Sequence, residues 1–194
     1  MSKNSWRKDY NSFYKKHLEG SSQVYEYERA RNFIISRTDL KNGSGETLLD
    51  VGCGDGTWSV ILDEWYDVTG IDNSEVGIEC CAEMNNRYNC DINFICGDVA
   101  SLDKKYDIVW CRGPEFFGSY PPDSKIFQKF LKITMNLCRS SFYFVVYSKP
   151  PFETYNKGKT SYYHDPAVLE ELFSAYGDVS MEYDKKYIVV KVRL

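Results

Sequence analysis

The chain has 194 residues, of which 43% are hydrophobic and 16% aromatic, enough apolar content to build one substantial core. Its formal net charge of −4 gives no general attraction to phosphate backbones, so a nucleic-acid partner is not favoured. No apolar run is long enough to cross a membrane and the first residues lack the apolar stretch of a secretory signal, so we expect a cytoplasmic protein without a membrane partner.

The N-terminal region, residues 6–36, carries apolar and aromatic residues at helical spacing, interrupted by Gly20, Ser21 and Ser22. This pattern predicts two helices ahead of the main fold. A turn-rich connector follows at residues 41–45, and beyond it the pattern changes to short apolar runs. We therefore expect a single domain, residues 1–194, with an N-terminal helical cap at 1–40 and a core at 46–194.

Short apolar runs alternate with helical segments along the core, which predicts a mainly parallel sheet wound with helices on both sides. The helical segments show apolar residues that return to one face, such as Trp58, Ile61 and Trp65. The runs interpreted as parallel strands are residues 47–51, 67–71, 92–96, 106–111 and 142–147.

The C-terminal region begins with Asp165 and Pro166 ahead of an apolar-periodic stretch closed by Gly177. These residues are typical of a helix with an N-cap, a first-turn proline and a C-terminal glycine. Residues 179–183 and 187–192 then predict an antiparallel hairpin at the end of the sheet. With the parallel strands, this gives an α/β fold with a mainly parallel, seven-stranded sheet.

The segment that follows the first predicted strand places glycines at alternate positions, Gly52, Gly54 and Gly56. Each glycine removes a Cβ and permits a positive φ, so a ligand can lie against bare backbone at the carboxyl edge of the sheet. A nicotinamide-binding loop would have its third glycine at the position of Thr57, which weakens the interpretation as an NAD(P)-dependent oxidoreductase.

The pattern Asp50-x-Gly52-x-Gly54-x-Gly56 resembles the first motif of class I S-adenosylmethionine-dependent methyltransferases. Later segments resemble the next motifs of this family at matching distances: residues 68–74, 94–99 and 106–112. The resemblance covers residues 46–147 well and the flanks only by the order of elements. It implies a Rossmann-like three-layer sandwich with N-terminal helices and S-adenosylmethionine as the cofactor.

The resemblance also implies roles for individual residues. Asp72 is expected to accept hydrogen bonds from the ribose hydroxyls, while Asp98 and the N–H of Val99 are expected to meet the adenine edge. Tyr14 is expected either to cover the cofactor, as aromatic residues do in several relatives, or to pack between helices. The predicted cofactor-binding residues are Asp50, Gly52, Cys53, Gly54, Gly56, Asp72, Asn73, Asp98, Val99, Cys111, Arg112 and Tyr14.

Methyl transfer from a sulfonium is an in-line displacement, so the main tasks of such a protein are to align the reactants and exclude water. A base for the incoming O–H or N–H would follow the fourth or fifth strand, and the catalytic candidates there are Glu115 and His164. Both also fit ordinary surface or loop positions. Residues 148–164 form a long connection typical of a lid or a substrate-binding loop. The sparse histidines and the absence of Cys-x-x-Cys spacing predict no metal site.

Amino-directed nucleic-acid and glutamine methyltransferases commonly have Asn/Asp-Pro-Pro-Tyr/Phe after the fourth strand, where this chain has Gly113, Pro114, Glu115 and Phe116. Together with the negative charge, this favours a small-molecule methyl acceptor, without assigning an oligomeric state. Other interpretations stay open: a non-catalytic cofactor-binding partner or regulatory subunit, an NAD(P)-dependent oxidoreductase, and transfer of a different group from a related sulfonium.

Overall fold

The structure of this chain, a computed structural model, describes Tyr14 and residues 22–148 and 162–194. The first predicted N-terminal helix and most of the connection at 148–164 lie outside the described residues. The chain divides into two compact units, Met1–Ser101 and Leu102–Leu194. None of the helices in the described ranges combines the length and the apolar character needed to span a membrane.

The first unit is built on parallel strands separated by helices. Its elements are α1 (Ser22–Arg37), β1 (Thr47–Val51), α2 (Thr57–Leu62), β2 (Asp67–Asp72), α3 (Glu75–Tyr88) and β3 (Asn93–Cys96). Strand β1 pairs in parallel with β2 and β2 with β3, as expected when a helix connects each strand to the next.

Within the first unit, helix α1 is held to the turn after α2 through the side chain of Glu64. The guanidinium of Arg31 donates to both oxygens of the Glu64 carboxylate at 2.8 to 3.0 Å, and the hydroxyl of Tyr27 donates at 2.9 Å. The hydrogen bond from Arg31 lowers the pKa of Glu64. Phe33 adds an edge-to-face contact with Trp58 of α2, with ring centroids 5.6 Å apart.

The second unit combines a parallel strand pair with an antiparallel hairpin. Its elements are β4 (Tyr106–Arg112), α4 (Glu115–Gly118), α5 (Lys125–Leu137), β5 (Cys138–Tyr147), α6 (Pro166–Ser174), β6 (Asp178–Tyr183) and β7 (Tyr187–Arg193). Strands β4 and β5 are parallel, and β7 pairs in antiparallel fashion with both β5 and β6.

All seven strands belong to one mixed sheet with the order β3-β2-β1-β4-β5-β7-β6. This order, mainly parallel and ending in an antiparallel hairpin, confirms the predicted Rossmann-like fold class. The predicted N-cap is also present, because the Asp165 side chain accepts the N–H of Ala167 at 3.0 Å at the start of α6. The division into one domain with a helical cap stays a prediction.

Several predicted boundaries differ from the structure, as a helix end and a strand start illustrate. Helix α2 ends at Leu62, before Trp65, because residues 63–66 continue as turns. Strand β5 begins at Cys138, four residues before the predicted start at Phe142. Its first residues include Arg139 and Ser140, which are exposed, so the apolar pattern that marks the strand begins only at Phe142.

Candidate functional site

Glycines shape the loop that follows β1. Gly52, Gly54 and Gly56 adopt φ angles of 77°, 61° and 82°, in the left-handed region that glycine enters without strain. The backbone N–H groups of Gly52 and Cys53 donate to the carbonyl of Ile71 at 2.8 and 3.1 Å. The glycine pattern therefore builds a tight turn with bare backbone at the carboxyl end of β1.

Asp72 ends β2 and joins the loops that follow the parallel strands. Its Oδ2 accepts the N–H of Gly54 at 3.0 Å, and its Oδ1 accepts the N–H of Ser74 at 2.8 Å. Its carbonyl accepts the N–H of Gly97, just after β3, at 2.9 Å. Burial raises the pKa of the Asp72 carboxyl group, and the backbone donors oppose that shift. Each carboxylate oxygen retains capacity for a further hydrogen bond to a ligand.

Asp50 lies in β1, just before the glycine loop, and is only 2% exposed. The Oγ of Ser59, a buried residue of α2, donates to its Oδ2 at 2.6 Å. A buried carboxylate needs such a donor to offset the loss of water. The Asp50 carboxylate therefore holds α2 against β1, and this burial disfavours the predicted direct contact with a ligand.

Helix α3 packs directly on the glycine loop. A Cβ at Gly77 would lie 2.6 Å from the carbonyl oxygen of Gly54, so this close approach requires glycine. One turn later, the thiol of Cys81 donates to the same oxygen at 3.3 Å. Burial raises the pKa of the Cys53 thiol, which also contacts the side chain of Cys81. Cys53 is 4% exposed and so offers a ligand little beyond its backbone.

Tyr14 lies against the glycine loop. A Cβ at Gly54 would lie 2.9 Å from the hydroxyl oxygen of Tyr14 and 3.2 Å from its Cε1. The side chain therefore occupies the space over the bare backbone of Gly54. The structure thus brings this N-terminal aromatic residue to the loop predicted to bind the cofactor.

The segment after β3 contains the predicted adenine-binding residues. Asp98 is exposed, and its Oδ1 accepts the N–H of Ala100 at 2.9 Å, which makes an Asx turn. Val99 is buried and starts a short 3₁₀ helix, Val99–Ser101. Because Gly97 bonds to the carbonyl of Asp72, this turn is fixed beside the end of β2.

In the second unit, Cys111 and Arg112 end β4. The side chain of Cys111 is fully buried, whereas Arg112 is half-buried. Gly113 then turns with a φ of 62°, and its N–H donates to the carbonyl of Val145 at 2.9 Å. Of the two predicted cofactor residues on this strand, only Arg112 has an accessible side chain.

Glu115 is the first residue of α4, directly after the turn that follows β4. It is half-buried, and burial raises the pKa of its carboxyl group. A carboxylate with a raised pKa at the carboxyl end of a parallel strand is suited to proton transfer. Its environment is compatible with the predicted role as a base.

His164 is fully buried, which disfavours its predicted role as a base. Its Nε2 lies 2.8 Å from the carbonyl oxygen of Phe117, so this nitrogen carries the proton and donates it. Its Nδ1 is buried without a hydrogen-bond partner among the described residues. Burial lowers the pKa of His164 to about 4, which keeps the ring neutral. The rings of Phe127, Phe144 and Tyr162 lie 5.8, 6.1 and 4.8 Å from it.

The structure thus gathers most of the predicted cofactor residues of the first unit at the carboxyl ends of β1, β2 and β3. Sequence reasoning misses Ser59, Gly77 and Cys81, which support the loop. An isolated glycine inside a helical pattern often marks close packing, so Gly77 could have been found by that signal. The described part of the chain contains no cluster of His, Cys, Asp and Glu side chains that could hold a metal ion.

Comparison with known proteins finds similarity to methyltransferases in the central part of the chain. Residues 48–135 match the family model described as "Methyltransferase domain". Malonyl-[acyl-carrier protein] O-methyltransferase of Acetivibrio thermocellus is 36% identical over 87 residues. That match covers 42% of this chain and 30% of the relative, so the similarity spans about a third of the relative's length.

Solved structures share the fold over most of the chain. The DhpI complex with SAH has a TM-score of 0.70 at 18% identity, covering 96% of this chain and 94% of that one. Magnesium protoporphyrin IX methyltransferase (ChlM) from Synechocystis PCC 6803 with bound SAH has a TM-score of 0.66 at 18% identity, covering 87% and 82%. A methyltransferase from Clostridium acetobutylicum ATCC 824 has a TM-score of 0.65 at 16% identity, covering 95% and 98%. At these identities the likeness is one of fold.

Proposed function

We propose that this chain, whose residues 48–135 match the methyltransferase-domain family model, is a class I S-adenosylmethionine-dependent methyltransferase that transfers a methyl group from S-adenosylmethionine to a small molecule. The observation that carries the proposal is the hydrogen bond between the glycine loop and Asp72, whose carboxylate accepts the N–H of Gly54 at 3.0 Å. A nucleoside ligand needs this combination of bare backbone and a nearby acceptor for its ribose.

The residues present fit that cofactor. Gly54 presents bare backbone beneath the ring of Tyr14, and the oxygens of Asp72 can accept further hydrogen bonds from ribose hydroxyls. Asp98 is exposed and has Val99 beside it, an arrangement that supports recognition of the adenine edge by a carboxylate and an N–H. Tyr14 would shield the bound cofactor from water.

When bound, S-adenosylmethionine supplies an electrophilic methyl group: the acceptor atom bonds to the methyl carbon while the C–S bond breaks and its electron pair stays on sulfur. Glu115 would accept the proton that the acceptor's O–H or N–H releases. Burial raises the pKa of Glu115, which makes its carboxylate a stronger base than that of an exposed glutamate.

A small-molecule acceptor is supported by what this chain has after β4. The segment from Gly113 to Phe116 has a glycine and a glutamate where amino-directed enzymes commonly have an amide or carboxylate followed by two prolines. The names of similar proteins point the same way: one acts on a malonyl group carried by a protein and another on magnesium protoporphyrin IX.

Calorimetric titration of S-adenosylmethionine into the protein and into the Asp72→Ala variant tests the proposal. We expect micromolar binding by the original chain, and about tenfold or greater weakening in the variant, because a hydrogen bond to a carboxylate contributes about 1.5–3 kcal/mol. Asp91→Ala, at an exposed position of the same unit, is the matched control and should leave binding unchanged.

Equal binding by the Asp72 and Asp91 variants would overturn the assignment of Asp72. Binding of reduced nicotinamide cofactor in place of S-adenosylmethionine would instead support an oxidoreductase. Tight binding with no methyl transfer to any acceptor would support a regulatory subunit.

A further inference from the structure

Three tyrosines meet at the carboxyl end of β5. Tyr147 ends β5 and lies opposite Tyr187, the first residue of β7, with stacked rings whose centroids are 5.4 Å apart at 25°. The ring of Tyr163 lies 6.4 Å from that of Tyr147 at 57°. Tyr147 is 41% exposed, and the other two rings are half-buried. This tyrosine cluster, Tyr147, Tyr163 and Tyr187, therefore offers aromatic surface to solvent.

A positive charge lies beside the tyrosine cluster. The Nζ of Lys186 lies 5.0 Å from the ring centroid of Tyr187. The backbone N–H groups of Lys186 and Tyr187 both donate to Oδ1 of Asp184, at 2.7 and 2.8 Å, which fixes the hairpin turn that carries the lysine. An anionic ligand group near the cluster would find this ammonium in place.

The tyrosine cluster is tied to the helix that carries Glu115. The N–H of His164 donates to the carbonyl of Tyr147 at 3.0 Å, and the N–H of Tyr162 donates to the carbonyl of Gly118, at the end of α4, at 2.8 Å. The ring of His164 adds its bond to Phe117 of the same helix. Residues 162–164 thus connect the cluster to α4, and both follow the carboxyl ends of parallel strands, where ligands of such sheets gather.

We propose that the tyrosine cluster binds the methyl acceptor, and that the acceptor is a planar aromatic compound with a hydroxyl group and a carboxylate. This rests on the proposed function. The tyrosine rings favour a flat π-surface over a saturated ring of equal size, because offset stacking and edge contacts are specific to aromatic pairs. Lys186 recognises the carboxylate, and Glu115 accepts the hydroxyl proton as the oxygen is methylated.

Matched probes separate these contributions. 4-Hydroxybenzoate has the ring, hydroxyl and carboxylate; trans-4-hydroxycyclohexanecarboxylate has the same groups on a saturated ring; and phenol lacks the carboxylate. Binding is measured by calorimetry with S-adenosylhomocysteine present, and turnover by methyl transfer from S-adenosylmethionine. We expect 4-hydroxybenzoate to bind about tenfold more tightly than either comparison compound.

Variants assign the preference to the cluster. Tyr147→Leu should reduce the aromatic preference about tenfold, whereas Tyr183→Leu, at a 62% exposed position of β6, should leave it unchanged. Lys186→Gln should remove the carboxylate preference, whereas Lys185→Gln, at the neighbouring exposed position, should not.

Retained binding of S-adenosylhomocysteine shows that each variant is folded and that its cofactor site is intact. The inference is overturned if the saturated compound binds as well as 4-hydroxybenzoate, or if Tyr183→Leu changes the preference as much as Tyr147→Leu does. In either case the proposed function stands as long as the cofactor binds. Loss of cofactor binding by the original chain would overturn the proposed function itself.

Discussion

At the scale of single residues, burial decides which of the chemically capable side chains can act. Glu115 and His164 follow neighbouring strands and are both capable of proton transfer. Glu115 is half-buried with a raised pKa, whereas His164 is enclosed and bonded through Nε2 to Phe117. The glutamate is therefore the base we propose, and the histidine anchors the segment at 162–164.

Glu115→Gln should reveal the proton acceptor through the pH dependence of the reaction. The carboxylate is active when ionised, so kcat/KM of the original chain should rise with pH through the raised pKa of Glu115 and then level off. The variant should lose this acid limb and about 10²–10⁴-fold in rate. Asp123→Asn, at an exposed position before α5, is the control. An unchanged pH profile in the Glu115 variant would exclude it as the base.

Although Glu115→Gln should lower the rate of methyl transfer, it should raise the free energy of unfolding at neutral pH. A carboxyl group whose folded pKa is raised stabilises the fold fully below its unfolded pKa, and this contribution is lost as pH rises through the folded pKa. At neutral pH, Glu115→Gln should therefore unfold at a slightly higher urea concentration than the original chain.

His164 should make the free energy of unfolding sensitive to mild acid. Its pKa is lowered from 6.5 to about 4, so the stability it contributes is complete above pH 6.5 and is lost as pH falls towards 4. The shift corresponds to about 3 kcal/mol at most. Urea unfolding from pH 7 to pH 4 should show this loss in the original chain, and less of it in His164→Gln, whose amide can still donate to Phe117. Parallel losses in both proteins would contradict the assignment.

At the scale of elements, helix α3 and the glycine loop form one packed unit. Gly77, in the first turn of α3, lies against the carbonyl of Gly54, and Ser74 caps the helix by accepting the N–H of Gly77 at 3.1 Å. The geometry of the loop therefore depends on the first turn of α3.

Gly77→Ala should separate helix stability from loop geometry. Alanine favours a helix by about 1 kcal/mol over glycine, yet its Cβ would lie 2.6 Å from the Gly54 carbonyl oxygen and must push the loop away. We expect affinity for S-adenosylmethionine to fall about tenfold in calorimetry while the melting temperature changes little. Glu79→Ala, at an exposed position of the same helix, should retain full affinity. Full affinity in Gly77→Ala would show that the loop tolerates displacement.

The same elements show what a sequence can predict. Alternation of apolar runs and helical segments predicted the sheet correctly, because strands covered on both faces must be apolar throughout. The start of β5 was missed since Arg139 and Ser140 are exposed, and exposed strand residues follow no apolar pattern. Trp65 was assigned to helix α2 because its spacing fits one face, although the helix ends at Leu62.

At the scale of the whole molecule, local motifs proved more predictable than the contacts between them. The glycine loop, Asp72 and Asp98 are contiguous signals that each follow one strand. Ser59 of α2 and Cys81 of α3 support the loop, and no local sequence pattern predicts these contacts. The tyrosine cluster likewise joins residues far apart in sequence, brought together by the pairing of β5 with β7.

The bonds of Asp72 have an entropic consequence. Its carboxylate accepts the N–H groups of Gly54 and Ser74, and its carbonyl accepts the N–H of Gly97, so the protein's own hydrogen bonds link the turns after β1, β2 and β3. Ordering a free backbone costs about 1–2 kcal/mol per residue, and a preorganised site avoids that cost at the moment of association. Binding energy can then go into affinity, and this part of the pocket can meet its ligand as a rigid template that captures it without refolding.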